Sequence, residues 1–316
     1  MKLVIQIPCF NEELTLAQTI RDIPVKFKGI SEVEILVIDD GCTDLTSSVA
    51  SGCNAKVVKH SSNSGLAAAF STGLKEALKM GADIIVNTDA DNQYCGKCIE
   101  DLIAPIINRE ADMVIGARPI SEISHFSFIK KVLQKAGSAV VRLASGTDVP
   151  DAPSGFRAFS REAALKLSVF SKYSYTLETI IQARNKGIKI VSVPISVNPP
   201  TRKSRLFKSM SGYIVRSVLT IGRIFILYRP FRFFAFIGGI LFLAGFALGS
   251  RFVFYYFYGS GDGHIQSLIL SAVLMISGFQ TFLIGIISDL ISANRKMLEE
   301  IRYFQRKDTL TPKEKD

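Results

Sequence analysis

The chain of 316 residues contains the stretch Ile84-Ile85-Val86-Asn87-Thr88-Asp89-Ala90-Asp91-Asn92-Gln93. Its first half is an apolar run typical of a buried strand, and two carboxylates two residues apart follow directly. Carboxylate oxygens at a strand exit can share one hard divalent cation, and the side-chain amide of Gln93 can add a further oxygen. The stretch therefore predicts a strand that carries a Mg²⁺ or Mn²⁺ site at its carboxyl end, with Asp89, Asp91 and Gln93 as ligands.

Further strand and helix patterns alternate on both sides of this stretch. β-Rich runs occupy residues 3–7, 34–38, 55–59, 83–88, 112–117 and 188–193. Helical patterns occupy residues 12–23, 45–51, 66–80, 96–108, 128–143 and 177–185. This βαβαβ order predicts an α/β fold with a mainly parallel sheet.

Polar residues follow four of the predicted strands. They are Asn11, Glu12, Asp39, Asp40, Asp89, Asp91 and Arg118. Because ligands of such sheets bind at the carboxyl ends of the strands, we expect these side chains to converge on one crevice. The sequence has neither a G-x-G-x-x-G nor a G-x-x-x-x-G-K-[S/T] motif, which argues against a dinucleotide enzyme and a P-loop NTPase.

Six motifs in order resemble those of family-two glycosyltransferases with the GT-A (nucleotide-diphospho-sugar transferase) fold. They are Pro8-Cys9-Phe10-Asn11-Glu12-Glu13, Val37-Ile38-Asp39-Asp40-Gly41-Cys42-Thr43-Asp44, Asn63-Ser64-Gly65-Leu66, Asp89-Ala90-Asp91-Asn92-Gln93, Gly116-Ala117-Arg118 and Ser154-Gly155-Phe156-Arg157. Within that family the match is to dolichyl-phosphate mannose synthases and bacterial polyprenyl-phosphate glycosyltransferases. The resemblance covers residues 1–206 and implies a GT-A catalytic domain that uses Mg²⁺ or Mn²⁺.

The resemblance also implies roles for individual residues. Those expected to hold the nucleoside, or to lie close to it, are Pro8, Phe10, Glu12, Asp39 and Asp40. Asp89, Asp91 and Gln93 would bind the metal and the donor diphosphate, and Asp91 also counts among the catalytic residues. Residues expected to grip phosphate are Arg118, Lys130, Lys131, Ser154 and Arg205, and Glu178 would flank the acceptor side. The alternative to phosphate binding by Lys130 and Lys131 is that they form a solvated helix face.

Two features depart from the family pattern. Cys42 stands where the family usually has serine. The stretch 201–206 keeps only the end of a longer, glycine-containing motif, which favours Ser204 and Arg205 over Arg202 as phosphate contacts. Separately, Cys95 and Cys98 have C-x-x-C spacing, but the sequence offers no second pair or histidine cluster to complete a zinc site.

Two apolar runs near the carboxyl end have the length of membrane spans. Residues 233–250 contain no charge, and residues 263–288 hold His264 and Gln266 as their strongly polar members. Buried helices of a large soluble core are the alternative. Basic residues flank the pair on both outer sides, which predicts that the catalytic domain and the C-terminus are cytoplasmic in a multi-pass cell-membrane protein.

The segment before the first run mixes apolar residues with spaced basic ones. Arg205, Arg216 and Arg223 fall on one side of a helix, which predicts an interfacial helix that meets anionic lipid, or else a solvated face. The predicted organisation is thus a catalytic domain at 1–206, an amphipathic helix at 207–229, a transmembrane hairpin at 230–290 and a basic tail at 291–316. Within the hairpin we place the spans at about 231–251 and 265–288.

The overall charge and the cysteines limit the partners and the compartment. Lys and Arg number 38 against 28 Asp and Glu, a formal charge of +10. Because the basic residues gather beside the apolar runs, a membrane explains this charge better than a nucleic acid does. Five cysteines without disulfide spacing favour a reducing compartment, and the apolar start predicts no signal peptide.

These expectations combine into an inverting hexosyltransferase that moves a sugar from a nucleotide sugar to a polyprenyl phosphate at the cytoplasmic face, in the synthesis of an envelope glycan or a glycoprotein. The resemblance favours a UDP-sugar such as UDP-glucose or UDP-N-acetylglucosamine, with GDP-mannose as the alternative. A processive polysaccharide synthase is disfavoured because the chain has no Trp for the expected Gln-x-x-Arg-Trp motif. A membrane sensor or scaffold without turnover also stays open, and the sequence is compatible with a homo-oligomer.

Overall fold

The computed structural model describes residues 1–119, 147–169, 175–199, 222, 226, 230–258 and 265–310. The chain divides into two compact units. The first comprises Met1–Ser217 together with Ile301–Asp316, and the second comprises Val218–Glu300.

Within the described ranges, seven strands form one sheet in the first unit. The strands are β1 (Lys2–Cys9), β2 (Glu32–Asp39), β3 (Lys56–Lys59), β4 (Ile84–Asn87), β5 (Met113–Ala117), β6 (Arg157–Ser160) and β7 (Ile190–Pro194), in the order β3-β2-β1-β4-β6-β5-β7. Only β6 runs antiparallel to its neighbours β4 and β5. The expected mainly parallel α/β sheet is therefore confirmed.

Helices cover both faces of the sheet because its central strands are apolar on both sides. The helices are α1 (Leu16–Arg21), α2 (Thr46–Gly52), α3 (Leu66–Lys79), α4 (Ile99–Ile107), α5 (Arg161–Lys166) and α6 (Tyr175–Asn185), with a 3₁₀ turn at Gly96–Cys98. Along β1, Leu3, Ile5 and Ile7 join one hydrophobic cluster, whereas Val4 joins the other. This alternation follows from the two-residue period of a strand.

All six predicted strands are present, but β6 was missed. It has only four residues, and its first, Arg157, does not fit an apolar strand pattern. The first helix is shorter than predicted because the chain before it forms a turn, in which the amide of Thr15 donates to the carbonyl of Glu12 at 3.2 Å. The predicted helix at 128–143 lies outside the described residues.

Among the described residues, two helices are long and apolar enough to cross a membrane: α7 (Pro230–Phe257) and α8 (Ile265–Leu310). The most apolar window of α7 is only 11% buried and that of α8 only 17%, unlike the core helix of a soluble protein. The predicted spans fall inside these helices. α8 continues through residues 291–310, so most of the predicted tail is helical. Gly222 and Ile226 are helical, and the rest of the predicted amphipathic helix at 207–229 is outside the described part.

Small residues bring α7 and α8 together inside the second unit. The hydroxyl of Ser271 donates to the carbonyl of Gly245 at 2.6 Å. A Cβ atom on Gly278 would lie 2.7 Å from the carbonyl oxygen of Gly238, closer than real Cβ atoms come. The two backbones therefore touch at positions where a larger side chain has no room, as is typical of helices packed in membranes.

Candidate functional site

The carboxyl ends of β2, β1 and β4 lie side by side and carry the first group of predicted residues. Pro8 is buried within β1 and pairs with Ile38, whereas Phe10, just beyond the strand, is 42% exposed. Asp39 ends β2 opposite Cys9. Parallel pairing of these strands is what brings their terminal residues to one edge of the sheet.

Asp39 is fully buried, and its carboxylate is held by donors from the following turn. Its Oδ1 accepts from the amide of Cys42 at 2.6 Å, its Oδ2 accepts from the hydroxyl of Ser47, and the Lys59 ammonium is 3.8 Å away. Burial raises the pKa of Asp39, but these hydrogen bonds outweigh burial and hold the pKa below its ordinary value. Asp39 is therefore an anion fixed in one orientation.

Asp40 points toward a different loop. Its carboxylate accepts from the amides of Ser64 at 2.9 Å and Gly65 at 2.8 Å, and Nδ1 of His60 lies 2.7 Å from Oδ1. The other ring nitrogen of His60 lies 2.9 Å from the hydroxyl of Thr72. Asp40, which is 3% exposed, thus ties the turn before α3 to the end of β2.

The loop after β1 and the loop after β2 are joined to each other. The amide of Thr43 donates to Oδ1 of Asn11 at 2.8 Å, and the amide of Asn11 donates to the Cys42 sulfur at 3.2 Å. The amide of Glu12 donates to the hydroxyl of Thr46 at 2.9 Å. Burial raises the pKa of the Cys42 thiol to about 11, so the residue is a neutral thiol that replaces the serine hydroxyl expected from the resemblance.

Asp89, Asp91 and Gln93 follow β4 as predicted, and all three are half-buried. The Oδ1 of Asp91 accepts from the amide of Gln93 at 3.1 Å, which fixes the turn between them. No group of three or more Asp, Glu, His or Cys side chains suited to a metal occurs among the described residues. Two carboxylates and an amide oxygen nevertheless fit a hard divalent cation that takes its other ligands from a bound diphosphate and water.

A layer of buried polar groups lies behind Asp89. Asn87 donates to the carbonyl of Gly155 at 2.8 Å and to the hydroxyl of Tyr175 at 3.0 Å, and it accepts from Gln6 at 2.8 Å. A Cβ atom on Gly155 would lie 2.8 Å from that tyrosine hydroxyl and 3.2 Å from Oδ1 of Asp89. Only glycine therefore leaves room for the carboxylate here.

Tyr94 and Arg157 complete this layer. The hydroxyl of Tyr94 accepts from the amide of Gly155 at 3.2 Å, and burial raises the pKa of Tyr94 to about 12. Arg157 is fully buried and donates at 2.7 Å to the carbonyls of Ser154, Ala152 and Thr176 and to the hydroxyl of Thr179. Burial lowers the pKa of Arg157 to about 10. Through these hydrogen bonds, Arg157 connects the chain before β6 to α6.

Arg118 lies at the end of β5 in a buried ion pair. Its Nε donates to Oδ2 of Asp151 at 2.7 Å, and a terminal nitrogen donates to Oδ1 at 3.0 Å. Burial lowers the pKa of Arg118, but the charges of Tyr94 in its ionised form, Asp151 and Asp89 outweigh it and raise the pKa above its ordinary value. The guanidinium is therefore a permanent cation in the electrostatic field of Asp89.

The other predicted residues differ in what the structure says of them. Ser154 is fully buried, and its hydroxyl has no hydrogen-bond partner within the described ranges. Glu178 is 2% exposed on α6, and its Oε1 accepts from Gln182 at 3.3 Å. Lys130, Lys131 and Arg205 lie outside the described residues.

The two cysteines of the C-x-x-C spacing lie at the two ends of the 3₁₀ turn before α4. Cys95 precedes that turn, and the sulfur of Cys98 is 3.3 Å from the hydroxyl of Ser196. Burial raises the pKa of Cys95, but a hydrogen bond with Ser196 and backbone donors outweigh it, and the net pKa is lowered. Both thiols are free.

Sequence reasoning missed Asp151, Asn87 and Tyr175. Asn87 stands inside the stretch that predicts the strand, and an amide in an apolar run is a signal for a buried polar contact. Asp151 lies 33 residues after Arg118, so no local pattern reveals that the two side chains form an ion pair.

Comparisons with known proteins give three results. The model of the family described as glycosyl transferase family 2 matches residues 4–167. The UDP-N-acetylglucosamine--dolichyl-phosphate N-acetylglucosaminyltransferase of Methanococcus voltae is 33% identical over 60% of this chain and 82% of that protein. The undecaprenyl-phosphate mannosyltransferase of Micrococcus luteus is 27% identical over 71% of this chain and 93% of that protein.

A solved structure shares the fold. It is the glucosyl-3-phosphoglycerate synthase of Mycobacterium tuberculosis in complex with Mn²⁺, UDP and glucosyl-3-phosphoglycerate. The TM-score is 0.54 at 21% identity, and the match covers 70% of this chain and 79% of the other. The expected GT-A-like architecture of the first unit is thus confirmed.

Proposed function

Because the chain belongs to glycosyl transferase family 2, we propose that it transfers a sugar from a nucleotide sugar to a polyprenyl phosphate at a membrane. The acceptor is supported by the relatives from Methanococcus voltae and Micrococcus luteus, whose names specify dolichyl and undecaprenyl phosphate. The apolar helices α7 and α8 would keep the enzyme where such a lipid resides. One observation carries the proposal: Asp89, two residues from Asp91 after β4, lies close enough to Arg118 at the end of β5 for its charge to raise the pKa of that guanidinium.

The charges of this site suit the transfer of a sugar from a nucleoside diphosphate to a lipid phosphate. A lipid phosphate is already ionised near neutral pH, so its oxygen can attack the anomeric carbon without a strong general base. Asp89, Asp91 and Gln93 would hold Mg²⁺ or Mn²⁺, which would stabilise the charge of the leaving diphosphate. Arg118 and Ser154 would contact phosphate oxygens, together with Lys130, Lys131 and Arg205. In-line displacement would invert the anomeric configuration.

The nucleoside would lie at the ends of β1 and β2. Pro8, Phe10, Glu12 and Asp39 are the proposed contacts, and Asp40 would act by holding the neighbouring turn. A UDP-sugar is the favoured donor, since the relative from Methanococcus voltae is named for UDP-N-acetylglucosamine and the solved relative contains UDP. GDP-mannose is the alternative, because the relative from Micrococcus luteus is a mannosyltransferase.

The orientation in the membrane is part of the proposal. Arg229 precedes α7, Arg232 lies in its first turn, and Arg295, Lys296 and Arg302 follow the apolar part of α8. By the positive-inside bias, the catalytic domain and the C-terminus would lie in the cytoplasm.

The test is release of nucleoside diphosphate by the purified full-length protein in detergent. A panel of UDP- and GDP-sugars is offered with Mn²⁺ or Mg²⁺, with and without polyprenyl phosphate. Release that needs both lipid and metal, and that is lost in Asp91→Ala while the variant stays folded, would support the proposal and identify the donor. Donor binding without lipid-dependent release would instead favour a sensor, and full activity of Asp91→Ala would refute the metal assignment.

A further inference from the structure

The last turns of α8 belong to the first unit and pack on its core. Tyr303, Arg306 and Leu310 are spaced three and four residues apart and are half-buried, while the residues between them are exposed. Tyr303 and Leu310 pack against the hydrophobic cluster that contains α3 and α5. These three residues therefore form one contact face of the helix, which we call the C-terminal face.

The C-terminal face is attached to both ends of α5. The hydroxyl of Tyr303 donates to Oε1 of Glu162 at 2.7 Å, at the first turn of that helix. Arg306 donates to the carbonyl of Leu167 at 2.6 Å, where the chain leaves the helix. The guanidinium of Arg161 donates to the carbonyl of Leu310. Three hydrogen bonds thus fix a helix of only six residues.

From Leu167 a chain of contacts continues into α6. The amide of Ser168 donates to Oε1 of Gln182 at 2.9 Å, and Nε2 of Gln182 donates back to the carbonyl of Ser168. Gln182 also donates to Glu178 at 3.3 Å. Both backbone groups of Ser168 bind the side chain of Gln182 on α6. Since Leu167 directly precedes Ser168, its position is coupled to that of α6.

α6 in turn lies close to Asp89, the proposed metal ligand. Tyr175, in its first turn, accepts from Asn87 at 3.0 Å and stacks on Phe70 at a centroid distance of 3.9 Å. Its hydroxyl is also the atom closest to the space beside Gly155, which faces Asp89. A displacement of α6 would therefore change the surroundings of the proposed metal carboxylate and of Glu178.

Arg306 carries a charge whose partial burial is unfavourable, which is unexpected for a residue that serves only to fill space. Among the described residues no carboxylate lies within ion-pair distance of its guanidinium, and burial lowers its pKa, as does the charge of Arg302. A methionine could fill the same space without a partly buried charge. What the guanidinium adds is a directed hydrogen bond to one carbonyl, that of Leu167.

We propose that Arg306 is a positioning residue, which fixes Leu167 and, through Ser168 and Gln182, holds α6 in place beside the donor site. The kinetic consequence for the lipid acceptor rests on the proposed function, because Glu178 on α6 is expected on the acceptor side. The structural consequence, the order of α6, does not depend on it.

The test compares full-length variants in detergent. Arg306→Met keeps the apolar stem but loses the hydrogen bond, Arg306→Lys restores a donor, and Gln305→Ala is the control on the exposed side of the same turn. Amide hydrogen exchange of residues 175–185 and binding of nucleoside diphosphate with Mn²⁺ are measured first. We expect faster exchange in Arg306→Met, partial recovery in Arg306→Lys, no change in Gln305→Ala, and nucleotide affinity within about two-fold of wild type.

Acceptor kinetics form the second arm. In Arg306→Met the KM for polyprenyl phosphate should rise about five-fold with little change in kcat, the result expected when positioning of a binding helix is lost. Unchanged hydrogen exchange of α6 would overturn the proposal. So would a loss of nucleotide affinity as large as the rise in the KM for polyprenyl phosphate, because that result indicates general destabilisation. If no lipid phosphate is a substrate, the proposed function fails, but the exchange experiment still decides the role of Arg306.

Discussion

Arg118 and Asp151 form a bidentate ion pair, and their side chains are only 9% and 1% exposed. Each of the two carboxylate oxygens accepts from the guanidinium, and Oδ2 also accepts from the backbone amide of Arg118 at 3.2 Å. The pair therefore sets both the backbone and the side chain at the end of β5. It holds the guanidinium in a fixed direction.

Replacing Asp151 should damage both stability and activity. Asp151→Asn leaves the guanidinium buried without its counter-charge, which costs roughly 3–5 kcal/mol when a buried pair is broken in this way. Unfolding in denaturant and sugar transfer at a temperature where the variant is folded would measure the two effects. Asp148→Asn, an exposed neighbour, is the matched control and should behave as wild type. Normal stability of Asp151→Asn would show that the pair is dispensable.

His60 should affect the binding of the donor nucleotide. His60→Ala removes the ring that bridges Asp40 and Thr72, so the turn at Ser64 loses one of its anchors. Each of these two hydrogen bonds contributes about 1 kcal/mol, and a loss of about 1 kcal/mol at the turn corresponds to roughly a five-fold weaker affinity for the nucleoside diphosphate. Calorimetric titration would measure it, with Ser61→Ala as the exposed control. An unchanged affinity would mean that the turn does not contact the donor.

The lowered pKa of Asp39 predicts how stability depends on pH near this site. A carboxyl whose pKa is lower in the folded state stabilises the fold above its unfolded pKa of about 3.9, and this contribution is lost as the pH falls through the folded value. Ser47→Ala removes a donor, so the pKa of Asp39 should rise. In urea unfolding between about pH 2 and 5, the variant should then be less stable than wild type at pH 5 and should lose less stability as the pH falls below about 3.9. Parallel curves for the two proteins would argue against the role of Ser47.

Gly278 should not tolerate a large side chain. In Gly278→Leu the new atoms would meet the backbone of α7 within about 3 Å, since a Cβ atom alone would lie 2.7 Å from Gly238 O and from Phe242 N. We expect a lower thermal stability of the purified protein in detergent. Phe279→Leu alters the adjacent residue, which is 55% exposed, and should leave the melting temperature near wild type. Equal behaviour of the two variants would contradict the packing of the hairpin.

Local patterns sufficed for most of the catalytic fold. The alternation of β1 and the apolar run before Asp89 predict strands because burial on both faces demands apolar residues over a short length. Strand β6 escaped because its four residues owe their conformation to pairing with β4 and β5 rather than to their own pattern. Likewise, Asp151 lies 33 residues from Arg118 in the sequence, and only the closed sheet brings them together.

The sequence predicts which residues belong to the candidate site, but not in which direction their side chains point. Asp39 and Asp40 are adjacent in sequence and were assigned to the same nucleoside site, yet the carboxylate of Asp40 serves the turn at Ser64. Neighbouring residues of a chain leaving a strand point in different directions, so spacing alone does not separate their roles. The roles of Asp89, Asp91, Gln93 and Ser154 stay predictions until the enzyme is assayed.

The position of β6 between β4 and β5 has a consequence for synthesis on the ribosome. Both neighbours emerge before it, so the edges of β4 and β5 that β6 covers stay unpaired until residue 160 has left the exit tunnel. Unpaired edges of apolar strands are templates for aggregation. The sheet is therefore completed late, since β5 gains its other neighbour only when β7 has emerged as well.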